Sequence, residues 1–209
     1  MIALSLGVTT ANGQNIKSLG TMVFNNEGIL FVGDNISGSI LAFDFRSEKQ
    51  KKKDFEINIY NIDAQIAAIL GTAQGSVYVN DIAVHPKSGE VYLSVTRGYG
   101  LDALPAMLKV NGENQLFVID LSQVKVTSQS LTKVPNSEDK IGLRGTAGSS
   151  PTPKEVAKSQ RSLRTLAIVA MEYHNGELFV EGGASGLAKL SLVEIKERLN
   201  GFGLSGLSL

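Results

Sequence analysis

A chain of 209 residues with 43% hydrophobic and 19% charged content is long enough to bury a core, as one or two globular domains. Its 20 basic and 20 acidic side chains cancel, so no net field draws it to nucleic acid or an anionic membrane surface. With no cysteine there is no disulfide framework, thiolate nucleophile or thiolate metal site, and with no tryptophan there is little for base stacking or sugar platforms.

No stretch reaches the roughly 18 apolar residues of a membrane-spanning helix. Met1 to Ala11 is apolar and ends in small residues but lacks a basic start. It reads as the tail of an export signal or as a first strand, so a periplasmic or extracellular location is expected over a cytoplasmic one.

A first unit, about 18–62, opens with Met22-Val23-Phe24, the turn Asn25-Asn26-Glu27-Gly28 and the apolar run Ile29-Leu30-Phe31-Val32. After the polar turn Gly33–Gly38, a third strand is expected over Ser39–Asp44. Beyond the charged loop Arg46–Asp54, Phe55, Ile57 and Ile59 alternate with Glu56 and Asn58, the period of a half-buried fourth strand. Asp63 to Leu70 then predicts a short helix: Asp63 caps it, Ile66, Ile69 and Leu70 share a face, and Gly71 ends it.

A second unit, about 77–121, repeats the hairpin as Ala83-Val84-His85-Pro86-Lys87-Ser88-Gly89-Glu90-Val91-Tyr92-Leu93. Two further strands, Met107–Val110 and Leu116–Asp120, flank the turn Asn111-Gly112-Glu113. The insertion at about 128–161 is rich in Ser, Thr, Lys, Gly and Pro around Pro151-Thr152-Pro153, and reads as an extended, mobile loop. A partial third unit, about 166–190, supplies the hairpin Met171–Val180 with Asn175-Gly176 as its turn. Ser191 with Glu194 then forms a capping box and Gly201 a stop, which predicts a helix before a featureless tail to Leu209.

The thrice-repeated hairpin is how the inner strands of a β-propeller blade are written. The expected fold is therefore all-β: one incomplete propeller domain over 1–209, with two complete four-stranded blades, a third incomplete blade and short helical insertions. Three blades are too few to close a ring, and the C-terminal pattern fits a truncated or frame-altered reading. Bare packing faces on the end blades would call for missing blades or self-association.

The phrase Val79-Asn80-Asp81-Ile82-Ala83-Val84-His85-Pro86-Lys87-Ser88-Gly89-Glu90-Val91-Tyr92 resembles one found in the gluconolactonase and senescence-marker family of six-bladed propellers, and more loosely in NHL-type propellers. That resemblance implies an Asn-Asp pair, here Asn80 and Asp81, facing a central channel that holds a divalent cation such as calcium and a sugar lactone. With the turn glycines aligned, Asp81 falls opposite Gly20 and Ala170, so the pair is particular to the second unit. Its amide and carboxylate oxygens suit a hard cation or hydroxyl groups; alternatively they bond nearby backbone at the start of a strand.

Arg97 follows a strand and opens the loop Gly98-Tyr99-Gly100, where it could clamp a carboxylate or phosphate, or pair with a neighbouring carboxylate. Asp34 holds the same relative place in the first unit and is its expected partner. The basic run Lys49–Lys53 has no aromatics or second basic patch beside it and reads as a solvated turn, which argues against nucleic acid. His85 and His174 fall at equivalent hairpin corners, away from any channel. Gly201-Phe202-Gly203-Leu204-Ser205-Gly206 fits G-x-G-x-x-G in letters but lacks the strand before it and the helix after it.

Three functional readings follow. One is a binding or scaffold module whose rim contacts a small molecule or a protein. Another is a cation-dependent, lactonase-like hydrolase using Asn80, Asp81 and Arg97. The last is an incomplete reading frame with no independent function.

Overall fold

The computed structural model describes residues 10–11, 14–49, 56–99, 103–131, 134–141, 161–184 and 189–196. In chain order a two-residue hairpin, β1 (Thr10–Ala11) and β2 (Gln14–Asn15), precedes β3 (Met22–Phe24), β4 (Ile29–Asp34) and β5 (Ser39–Asp44). Helix α1 (Ile62–Ile69) leads to β6 (Val77–Val84), β7 (Val91–Arg97), β8 (Leu104–Val110) and β9 (Leu116–Val118). Then come β10 (Val126–Ser130), β11 (Lys140–Ile141), β12 (Arg161–Ser162), β13 (Ala170–His174), β14 (Glu177–Ala184) and β15 (Lys189–Lys196).

Three antiparallel sheets form the body: a first in the order β10-β5-β4-β3, a second β6-β7-β8-β9 and a third β13-β14-β15. All six residues of β4 are buried, as an apolar run on both parities demands. Leu30 and Val32 pack toward Tyr92 and Met107 of the second sheet, while Ile29 and Phe31 pack toward Leu178 and Val180 of the third. The first sheet thus lies between the other two. The second sheet's far face packs on Ile66 of α1 through Val91, Leu93, Val95, Leu108 and Val110.

The turn between β3 and β4 is written in the sequence. Asn25 Oδ1 accepts from the backbone N–H groups of Glu27, Gly28 and Ile29. Gly28 has φ 103°, a conformation that penalises any other residue, and a Cβ there would lie 2.6 Å from His85 Nε2.

Five expectations change. The fourth strand of the first sheet is not 55–59 but β10, which pairs with β5 from Val126↔Phe43 to Ser130↔Ser39. Ile57 and Ile59 instead pack against the helix-covered face of the second sheet, where their apolar surface is better buried. The insertion expected over 128–161 therefore starts inside a strand, and its arms pair as Lys140↔Ser162 and Ile141↔Arg161.

Within the expected C-terminal helix, residues 191–196 belong to strand β15. β14 offers a free edge, and β15 satisfies it from Glu177↔Lys196 to Ala184↔Lys189. The β-branched Val193 and Ile195 favour the extended chain. Helix α1 begins one residue early: Asn61, at φ 49°, occupies the cap without a side-chain bond, and Asp63 sits in the first turn. Gly71 closes it at φ 63°, as expected.

Last, the end faces are not both bare. Helix α1 covers much of one. Register puts Glu172, His174, Glu177 and Glu181 on the far side of the third sheet, together with Ala170 and Phe179. Residues 1–9 and 197–209, with the tail and its glycine pattern, lie outside the described residues.

Candidate functional site

The first and second sheets part at their outer ends around a cleft of about 950 Å³. β5 ends there at Asp44, and Phe45 to Glu48 turn across the opening. β7 and β8 contribute Tyr92 and Lys109, which face each other directly across the ladder. β9 contributes Phe117 and Val118, 46% and 37% exposed.

Lys109 is the hub of the floor. Its Nζ donates to Glu48 Oε1 at 2.9 Å and lies 3.1 Å from Glu90 Oε2. The Tyr92 hydroxyl donates to the same Glu48 oxygen at 3.3 Å. Glu90 is 1% exposed, so its carboxylate is held inside by an ion pair rather than by water. Glu48 Oε2 accepts no hydrogen bond from the described residues, and Glu48 keeps about a quarter of its side chain (27%) in solvent.

Burial opposes the charge on Lys109, but hydrogen bonds to Glu48 and Glu90 outweigh it and raise its pKa. It is a fixed ammonium, not a nucleophile. Burial, reinforced by the Glu48 and Glu90 charges, drives the Tyr92 phenol far above its ordinary range, so it stays a donor. At the rim, Arg46 Nε and Nη2 donate to Asp44 Oδ1 and Oδ2 at 2.9 and 2.7 Å. That bidentate bond lowers the Asp44 pKa and raises that of Arg46.

Behind the floor lies His85, wholly buried. Its Nδ1 accepts the Ser88 backbone N–H at 3.0 Å, and its ring stands edge-on to Phe24 at 5.0 Å. Nε2 closes no full hydrogen bond, although the Phe45 carbonyl favours its proton. Desolvation is the largest influence on the ring and lowers its pKa, with the Glu48 and Glu90 charges pulling the other way.

The residues expected to form a site lie elsewhere. Asn80 and Asp81 come together at a β-bulge between Val79 and Asp81. Asp81 Oδ2 accepts from Met22 N at 2.7 Å and Thr21 Oγ1 at 3.0 Å, while Oδ1 accepts from Ile82 N at 2.8 Å. Asn80 Nδ2 donates to Leu19 O and Thr96 Oγ1, both at 2.8 Å. The pair ties the inner edge of the second sheet to the first.

Asp34 and Arg97 are not partners. Asp34 is buried and accepts from Lys17 N, Ser18 Oγ and Ser37 N. Arg97 donates to Gly71 O at 3.3 Å, at the end of the helix. His85 and His174 are equivalent in sequence and opposite in environment, since His174 is exposed.

Sequence reasoning passed over Glu48, Glu90, Tyr92 and Lys109. One signal was available: Lys109 interrupts the apolar run Met107-Leu108-Lys109-Val110. It shares a face with the buried Tyr92, so it needs a buried anion. Among the described residues, no group of three or more His, Asp and Glu side chains could hold a metal ion. The chain matches no protein-family profile, no curated protein and no solved structure.

Proposed function

We propose that this chain is a binding module built on part of a β-propeller, holding a small molecule in the cleft between its first and second sheets. Three antiparallel sheets support the architecture. In each, the strand that comes first in the chain (β3, β6 or β13) is an edge strand, and β3 packs beside both β6 and β13. That is the arrangement of inner strands around a propeller axis.

One observation carries the binding reading: the cleft floor is a preorganised donor and acceptor set with an apolar wall above it. Glu48 presents an open carboxylate oxygen and Lys109 a fixed ammonium, while Phe117 stands half exposed beside them. A polar molecule with one apolar face fits such a set, and preorganisation lowers the cost of holding it. Among the described residues lining the cleft, Lys109 is held in ion pairs and Tyr92 stays a donor, which suits binding.

The test is a two-dimensional amide NMR titration with millimolar glucose, phenylalanine, arginine and citrate. At least one probe is expected to shift residues 44–48, 90–92, 109–111 and 117–125 as a cluster, and Lys109→Met to weaken that shift at least tenfold. If no probe moves the cluster, the cleft is not a small-molecule site.

A further inference from the structure

We infer that His85 is an acid-operated latch on the cleft floor: a proton added at Nδ1 unfastens the turn from His85 to Glu90 and loosens Glu90 and Glu48 from Lys109. The ring lies between the two loops whose carboxylates meet at Lys109 Nζ. On one side, Nδ1 accepts the Ser88 backbone N–H at 3.0 Å and lies 3.0 Å from Ser88 Oγ. Ser88 Oγ in turn accepts the Glu90 N–H at 3.3 Å, and the His85 N–H donates to the Glu90 carbonyl at 2.9 Å. On the other side, Nε2 faces Gly28. The Gly28 carbonyl accepts the Phe45 N–H at 3.0 Å, at the start of the turn that carries Glu48. Glu90 and Glu48 then hold Lys109 at 3.1 and 2.9 Å.

A proton on Nδ1 sets donor against donor. Ser88 Oγ can turn to accept it, but the Ser88 N–H must then leave, and His85, Ser88 and Glu90 are all buried. The ring's own turn supplies Lys87 and Glu90, and the loop after β5 supplies Glu48 and the Asp44-paired Arg46. β7 supplies Tyr92, β8 supplies Lys109, and Glu27 stands next to Gly28, whereas β3 offers only Phe24. Of these, Glu48 and Glu90 attract an imidazolium, which therefore competes with Lys109 for the same two carboxylates. Burial outweighs that attraction and keeps the ring neutral until pH falls below about 6.5. Asn25 closes the equivalent turn of the first sheet with an amide that does not titrate, so of these two turns acid acts on one alone. The latch rests on the binding reading only for its consequence, release of a bound molecule in acid.

NMR titration and amide hydrogen exchange of the full chain from about pH 8 to 5, with no ligand present, test this. The His85 ring should titrate with a midpoint below 6.5, and the amides of Glu48, Glu90 and Lys109 should follow the same curve. Protection of the Ser88 N–H should fall at least tenfold across that midpoint while that of Leu30 in β4 holds. A charge acting only through space would move the shifts and leave the protection unchanged. His85→Asn, which repeats the Asn25 arrangement, should abolish the shared curve. A ring that stays neutral to pH 5, Ser88 protection that survives its titration, protection lost equally in β4, or cleft amides that follow a separate midpoint would each overturn the latch. All four are read on the wild type, so they decide the matter even if the variant fails to fold. A shared curve that persists in a folded His85→Asn would overturn it as well. Because no ligand enters, a failed titration leaves the binding reading standing, and a cleft that takes no probe leaves the latch standing.

Discussion

His85 and Asn25 do the same work with different chemistry, and the difference makes one of them sensitive to acid. Each follows an inner strand and accepts backbone N–H groups of the hairpin turn. The amide of Asn25 does not titrate in the ordinary range, whereas His85 must keep Nδ1 unprotonated to accept from Ser88. Its folded pKa lies below the ordinary 6.5, so the unfolded chain binds the proton more tightly. Its contribution is complete above about pH 7.5 and is lost progressively as pH falls below about 6.5 and through the lower folded value, by at most about 1.4 kcal/mol per pH unit. Urea denaturation of the wild type and His85→Gln across pH 5–8 should show the difference between them changing only below pH 7. A difference constant with pH would refute it. Gly28→Ala should cost about 1–2 kcal/mol, because a side chain there meets both a positive φ and the His85 ring. Lys109→Met removes the ammonium beside buried Glu90 and should destabilise by about 2 kcal/mol, below the figure for a wholly buried pair because Lys109 and Glu48 are partly solvated. Adding Glu90→Gln should recover part of that loss, measured in the same urea series.

Between elements, hydrogen bonds accepted by the Asp81 side chain stitch β3 to β6. Asp81→Ala deletes three hydrogen bonds, two of them to the first sheet, and should cost about 1–3 kcal/mol in thermal denaturation. Asp81→Asn should cost less, since one amide oxygen still accepts. These elements also show what pattern can reveal. The hairpins at Gly28, Gly89 and Asn175-Gly176 were legible because turn chemistry is local: each residue's own side chain or positive φ closes the turn. β5 was legible in full for the same reason. The fourth strand was not, because Phe55-Glu56-Ile57-Asn58-Ile59 and Val126-Thr127-Ser128-Gln129-Ser130 compete for one edge, and only tertiary burial of Ile57 and Ile59 decides between them. The segment Ser191–Lys196 carries a true helix-capping signal that an open strand edge overrides. Away from the cleft, Asn80 and Asp81 do differ from their repeat equivalents, but a departure from a repeat marks a special contact before it marks a ligand. Glu48 sits in a charged loop and offers no pattern at all.

For the whole molecule, the first sheet is covered on both faces, whereas each flanking sheet packs on it by one face. Hydrogen exchange should therefore be slowest in β4 and β5 and faster in β13 and β9. Uniform protection across the three sheets would show a single cooperative unit instead. The cleft depends on this layering, since its floor comes from the second sheet and much of its mouth from the first. The return of β10 has a further consequence in time. As the chain leaves the ribosome, β3, β4 and β5 emerge together, yet the edge of β5 stays unpaired until the entire second sheet and then Val126–Ser130 have followed. Closing so long a loop is slow, and an open edge during that wait invites pairing with other nascent chains. The strand that finishes the first sheet is therefore the step on which the yield of correctly folded chains depends.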